Sequence, residues 1–211
     1  MVQQLPLHFF LRDDVVQIAK ELVGKKVITR MNGQKTGGYI TETEAYAGKD
    51  DQACHAHLGR FTKRTKVMYE TGGIAYVYLC YGIHHLFNII TNKKNNADAV
   101  LIRAIEPTDG IELMLERRNM EKLKKNISSG PGNVSQALGI TKEYNAESVL
   151  QNNIKIYKTE RQPQLVADER IGIGYAGEDA NLLWRFYDDD SKYVSKKVKE
   201  ETRLKETKVK G

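Results

Sequence analysis

Four runs between Gly38 and Ile105 constrain this chain more than anything else in it. Gly38–Tyr46, Ile74–Cys80, Leu86–Thr91 and Ala99–Ile105 are rich in β-branched and aromatic residues and are separated by turn-forming stretches. Runs of that length and composition read as strands. Lys25–Arg30 (KKVITR) joins the first of them through Asn32-Gly33, a pair that accepts the positive φ angles of a tight hairpin. Ile154–Tyr157, Ile171–Ile173 and Trp184–Tyr187 read as later strands.

Helices are expected at the margins. Val15, Val16, Ile18, Ala19, Leu22 and Val23 recur at helical spacing before Gly24, a natural terminator. Thr108–Lys125 is expected to be a helix with Ile111, Met114, Leu115 and Leu123 inward. Gly130–Ile140 (GPGNVSQALGI) opens on a turn and runs into a short helix. Clustered strands with flanking helices predict α+β, not a βαβ repeat. The expectation is one domain, residues 1–190, with a curved, mostly antiparallel β-sheet core and peripheral helices. Residues 191–211 form a basic C-terminal tail open to disorder.

Charge points weakly to a polyanionic partner. The net charge is +6, but Lys192–Gly211 holds eight Lys or Arg against three Glu, leaving the remainder at +1. The tail is either a solvated segment that aids solubility or an arm that tethers DNA. Two cysteines, Cys54 and Cys80, make no disulfide framework and suit a reducing compartment. The N-terminus has no secretory pattern, and no apolar run is long enough for a membrane span. No membrane partner is expected.

In an extended Thr41–Tyr46, alternation places Glu42, Glu44 and Tyr46 on one face. Burying carboxylates there is costly without a use. The plain alternative is a solvated edge strand whose charges discourage pairing. Tyr76 and Tyr78 share a face likewise, as a stacking surface or as ordinary cross-strand packing. The strand then breaks at Tyr81-Gly82, which pushes Tyr81 outward. A carboxylate among aromatic rings suits a flat cationic or aromatic ligand, and nucleobases have that shape. Arg60, Lys63, Arg64 and Lys66 lie between the two stretches, as phosphate contacts or as a charged surface loop. The histidines and cysteines lack zinc spacing. No glycine-rich phosphate loop is present, so neither metal nor cofactor is expected.

Five blocks, ETEAYAGKDDQACH, YVYLCYGIHHLFN, AVLIRAIEP, GPGNVSQALGI and IGIGYAGE, together resemble the alkyladenine (3-methyladenine, methylpurine) DNA glycosylase family. The likeness runs in order from about Lys25 to Tyr187. It implies a monofunctional enzyme of base excision repair, and the further expectation is a monomer in a bacterial cytoplasm. Such an enzyme flips alkylated or deaminated purines out of double-stranded DNA and hydrolyses the N-glycosidic bond, leaving an abasic site. By resemblance, Glu44 is the general base on the attacking water, or an electrostatic stabiliser of the transition state. Arg103 and the main chain near Ile171 hold that water. Tyr46, His55 and Tyr78 sandwich the base. Asn88 clashes with the 2-amino group of guanine, and Tyr81 wedges into the stack. Arg60, Lys63 and Arg64 are the expected DNA contacts.

Three positions depart from the family pattern. Gly72-Gly73 replaces Pro-Gly, which is expected to loosen that turn. Asn133 stands where lysine is common, and Tyr175 where histidine can occur. Two other classes stay open at this level: a lesion- or nucleic-acid-binding module that does not cut, and a structural RNA-binding domain stacking bases on an open sheet face.

Overall fold

The computed structural model describes residues 3–198. Its centre is a curled, half-barrel antiparallel sheet, and the molecule is α+β as expected. The strands are β1 (Lys26–Met31), β2 (Gln34–Ala47), β3 (Ile74–Cys80), β4 (His84–Thr91), β5 (Asp98–Asp109), β6 (Ile154–Tyr157), β7 (Leu165–Asp168) and β8 (Arg185–Asp188). They lie in the order β3-β4-β5-β2-β1-β6, and β8 pairs with both β2 and β7. The helices are α1 (Leu7–Phe10), α2 (Val15–Leu22), α3 (Ile111–Arg117) and α4 (Pro131–Leu138). Among the described residues no helix is long and apolar enough to cross a membrane.

The β1–β2 hairpin closes where the sequence places it, with φ of 52° at Asn32 and 77° at Gly33. β2 is the spine of the sheet. Its first half pairs with β1, and its second half lies between β5 and β8, with Glu42 opposite Tyr187 and Glu44 opposite Arg185. β2 therefore has no free edge at its carboxylates, and the solvated-edge alternative fails. The β2–β5 register shifts between Ile40 and Glu42 and again between Glu42 and Thr43, so that Arg103 falls in the second irregularity. Such bulges re-aim side chains, and this one turns Arg103 toward Glu42 and Glu44.

The helix α2 begins at Asp14, whose carboxylate accepts from the Gln17 N–H at 2.8 Å and so caps an otherwise unpaired donor. Its apolar face, Val15, Ile18, Ala19 and Leu22, is buried in a core shared with Phe10, Ile40, Ile89 and Ile102. The helix α4 packs against β4 and β5. Together these helices close one side of the sheet, and the carboxylates of β2 lie toward the site.

Four local expectations need correction. The helix predicted over Thr108–Lys125 stops at Arg117, and Leu123 is exposed. Asn119 adopts φ 49°, its N–H reaches Glu116 O, and the Met120 N–H reaches Leu115 O. Those bonds close the helix end in the manner of a left-handed cap. Ile171–Ile173 is not a strand, because Gly172 turns with φ 80° and the Ile171 N–H bonds to a side chain. β7 goes unseen in the sequence because the chain exposes Leu165 and Ala167 and half-buries Val166 and Asp168. Gly72 does not loosen its turn. Its N–H donates to Asn92 O at 2.9 Å, a bond proline could not make, and a Cβ there would meet Phe10 O at 2.4 Å.

Ser191, Tyr193 and Val194 are buried, and Ser195 bonds to Glu42 through both its N–H and its hydroxyl. The first residues of the proposed tail thus complete the packing around β2. The rest of the proposed tail, residues 199–211, falls outside the described residues.

Candidate active site

Glu42 and Glu44 are both fully buried, and their surroundings differ. Glu42 receives Arg185 Nη1 at 2.9 Å, the Ser195 N–H at 2.7 Å and the Ser195 hydroxyl at 2.8 Å, with Arg103 Nε at 3.4 Å. Its acceptor positions are taken up by structural partners. Glu44 is held differently. The Ile171 N–H donates to Oε1 at 2.7 Å, Tyr46 Oη donates to Oε2 at 2.8 Å, and Arg103 Nη1 lies 3.2 Å from Oε2. Tyr46, Arg103 and Ile171 all line one open cavity of about 510 Å³, together with Tyr78, Tyr81 and Tyr175. That volume falls in the range of small-ligand sites. The carboxylate of Glu44 sits immediately behind that wall.

The electrostatics follow from burial and charge. Burial alone would lower the Arg103 pKa, but the Glu44 and Glu42 carboxylates more than offset it and the pKa is raised. The Tyr46 hydroxyl is raised well above its ordinary value, by burial first and then by Glu44. It stays protonated and can only donate to the carboxylate. Behind Tyr46, Arg170 makes a bidentate pair with Asp51 at 2.5 and 2.9 Å and also donates to Ala45 O. Its guanidinium lies 4.9 Å from the Tyr46 ring centroid and 5.1 Å from that of Trp184. Arg170 thereby fixes the plane of the Tyr46 ring.

A narrower recess of about 50 Å³ continues from the cavity between Tyr46, His55, Tyr76, Tyr78, Asn88 and Tyr175. The His55 and Tyr78 ring centroids are 4.7 Å apart, edge to face, and Tyr76 and Tyr78 are 5.3 Å apart. His55 Nδ1 lies 2.9 Å from Tyr76 Oη. Its imidazole pKa is lowered to about 4 by burial, then by Arg64 and Arg60, so the ring is neutral near pH 7. Asn88 is buried on β4 opposite Tyr76, and its Nδ2 donates to Tyr76 O at 3.2 Å. Tyr81 stands at the tip of the β3–β4 hairpin with φ 49° and is 91% exposed. Arg60 and Lys63 are exposed on the adjoining loop.

The structure therefore gathers Glu44, Tyr46, His55, Tyr78, Asn88, Arg103 and Ile171 around one connected cavity, with Tyr81 at its rim. Arg64 also belongs to the cavity wall, its guanidinium 4.5 Å from the Tyr78 centroid. Sequence reasoning missed the Asp51–Arg170 pair, which braces Tyr46, and the Tyr76 hydroxyl, which orients His55. The first joins positions 119 apart, and no local pattern announces it. The second had a signal, since Tyr76 alternates onto the face of Tyr78.

Residues 8–192 match the family model described as methylpurine-DNA glycosylase. The chain belongs to that family. It is 48% identical over 183 residues to a protein of Chlamydia felis (strain Fe/C-56) named "Putative 3-methyladenine DNA glycosylase", covering 86% of this chain and 94% of that protein. Proteins of the same name from Clostridium novyi (strain NT) and Bacillus cereus (strain AH187) are 42% and 43% identical. Those matches cover 93% and 92% of this chain and the full length of each relative. The family makes the chain a DNA-3-methyladenine glycosylase, a hydrolase of base excision repair whose substrate is DNA. Of the three departures read in the sequence, Tyr175 is the one that lines the cavity, its hydroxyl donating to Ala53 O at 3.2 Å.

Proposed function

We propose that this glycosylase everts an alkylated or deaminated purine from duplex DNA into the cavity lined by Tyr46, His55 and Tyr78, and hydrolyses its N-glycosidic bond at Glu44. The observation that carries this reading is the setting of the Glu44 carboxylate. It is fully buried, is held from three sides, and lies behind the wall of a base-sized cavity. A carboxylate so fixed has two oxygens with about four acceptor positions, and three are met by Ile171, Tyr46 and Arg103. The fourth suits a water proton.

The step balances simply. Glu44 accepts a proton as the water oxygen bonds to C1′ of the deoxyribose, and the C1′–N bond breaks with its electron pair passing to the purine. The sugar is left abasic. Arg103 and the Ile171 carbonyl hold the water, because the Ile171 N–H is committed to Glu44. A cationic alkylated purine needs no further proton to leave, and the electron-rich rings around it favour a cation. Eversion is needed because a stacked base cannot be reached, and exposed Tyr81 fills the gap it leaves. Asn88, tethered to Tyr76 O, stands where a 2-amino group would collide. Arg60 and Lys63 meet phosphates beside the lesion, as Arg64 does once the base is bound. The same proposal has the enzyme acting on DNA as a monomer in a bacterial cytoplasm.

The test is a base-release assay on duplexes carrying 3-methyladenine, 7-methylguanine, hypoxanthine or ethenoadenine, each followed by cleavage at abasic sites. Release of at least one free base with an abasic strand left behind supports the reading. Tight lesion binding without release would replace it with a binding function.

A further inference from the structure

Arg64 is the one cation of its loop that turns inward. The loop is braced: the Thr62 N–H donates to Thr65 Oγ1 at 2.8 Å, Thr65 Oγ1 donates to Arg60 O at 2.9 Å, and Tyr69 Oη reaches the same carbonyl at 3.1 Å. From this fixed base the Arg64 side chain crosses the cavity mouth. Its guanidinium lies 4.5 Å from the Tyr78 ring centroid, and Nη2 is 3.5 Å from His55 Nε2. Among the described residues no carboxylate pairs with it. A guanidinium is planar, charged and donor-only. It faces an aromatic ring and, because it cannot accept, the lone pair of His55 Nε2. With Nε2 accepting from Arg64, the His55 tautomer that fits carries its proton on Nδ1, toward Tyr76 Oη.

Those are the terms on which an alkylated purine would be held: a flat cation against Tyr78 with a donor toward His55. We propose that Arg64 is a built-in occupant of the base seat, closed onto Tyr78 in the free enzyme and displaced to a DNA phosphate when a base enters. The idea rests on the function proposed above and names how that same seat is regulated. A seat filled by the enzyme's own cation admits only a base that stacks better than guanidinium. The displaced charge is then free for the backbone flanking the everted nucleotide. Capture of the base and grip on the strand are thereby coupled through one side chain.

The experiment compares wild type, Arg64→Gln and Arg64→Lys, all at an exposed position where folding is not at stake. Two ligands are titrated: free 3-methyladenine, and a duplex carrying a non-cleavable abasic analogue, the latter across a range of salt. Arg64→Gln should bind the free base about two- to fivefold tighter, the worth of one exposed cation–π contact removed from competition. It should bind the abasic duplex more weakly, with a salt slope smaller by about one phosphate. Arg64→Lys, a point charge without a stacking plane, should keep the duplex slope and still bind the base more tightly than wild type. Unchanged base affinity in Arg64→Gln would make Arg64 a phosphate contact alone and overturn the proposal. Weaker base binding would make it part of the stacking wall and overturn it too. If wild type and variants all ignore the free base, the base-seat reading itself fails, and Arg64 loses its role with it.

Discussion

The backbone N–H of Ile171 donates to Glu44 Oε1 at 2.7 Å, across 127 positions of sequence. That one bond joins the loop after β7 to the second half of β2, and it holds the carboxylate by a group that no substitution other than proline removes. With Tyr46 and Arg103 it sets both oxygens of Glu44 in place before any substrate arrives, the kind of preorganisation that lowers a barrier.

Arg103 lies between the buried carboxylates of Glu42 and Glu44. Arg103→Met should remove base release and destabilise the fold by about 3–5 kcal/mol, because uncompensated charge is left buried. Pairing it with Glu42→Gln should recover part of the stability and none of the activity. Urea unfolding beside single-turnover release separates the two effects. Equal stability of wild type and Arg103→Met would mean that the pairing carries no structural weight.

His55 gives a pH signature. Its folded pKa, about 4, lies below the ordinary 6.5 of a histidine. Between about pH 6.5 and 4 the unfolded chain binds a proton that the folded chain refuses. The His55 contribution to stability is therefore complete above pH 6.5 and lost as pH falls toward 4. The imidazole resonances of His55, followed by NMR, should titrate near pH 4. A midpoint above 6 would contradict the buried, Arg64-facing placement.

Tyr81 holds a left-handed backbone conformation at the hairpin tip, φ 49°, with its ring in solvent. A non-glycine residue is retained there at a cost of about 1–2 kcal/mol, which suggests a use. Tyr81→Gly should therefore be as stable as wild type or more so, and Tyr81→Ala close to it. Both should lose the everted state, seen as slower capture in stopped-flow fluorescence on lesion duplexes. Unchanged capture kinetics would remove the wedge.

Asn88→Ala should leave adenine-type lesions nearly unaffected and raise release of guanine-type ones, measured as a ratio on paired duplexes. No change in that ratio would remove Asn88 from discrimination.

Much of the fold is legible in the amino-acid sequence alone. Strands with strong alternation and the Asn32-Gly33 turn fall where composition places them, because local pattern and tertiary packing agree there. The face shared by Glu42, Glu44 and Tyr46 is also legible, since the period of a strand is fixed. What stays hidden depends on distant partners. The use of Glu42 as a structural hub needs Arg185 and Ser195 from the far end of the chain. Arg103 turns toward the carboxylates because of a bulge that periodicity cannot announce. Helix α3 ends early on a left-handed Asn119, where the apolar spacing runs on. Arg64 reads as one more basic residue in a charged loop, and only geometry shows it lying on Tyr78.

The most direct measurement is single-turnover release of 3-methyladenine from duplex DNA by wild type and Glu44→Gln, with lesion binding followed in parallel. Glutamine keeps the shape of the site and cannot take a proton from water, so release should fall about 10²–10⁴-fold while binding to damaged duplex is retained. Release at the wild-type rate by Glu44→Gln would contradict the account.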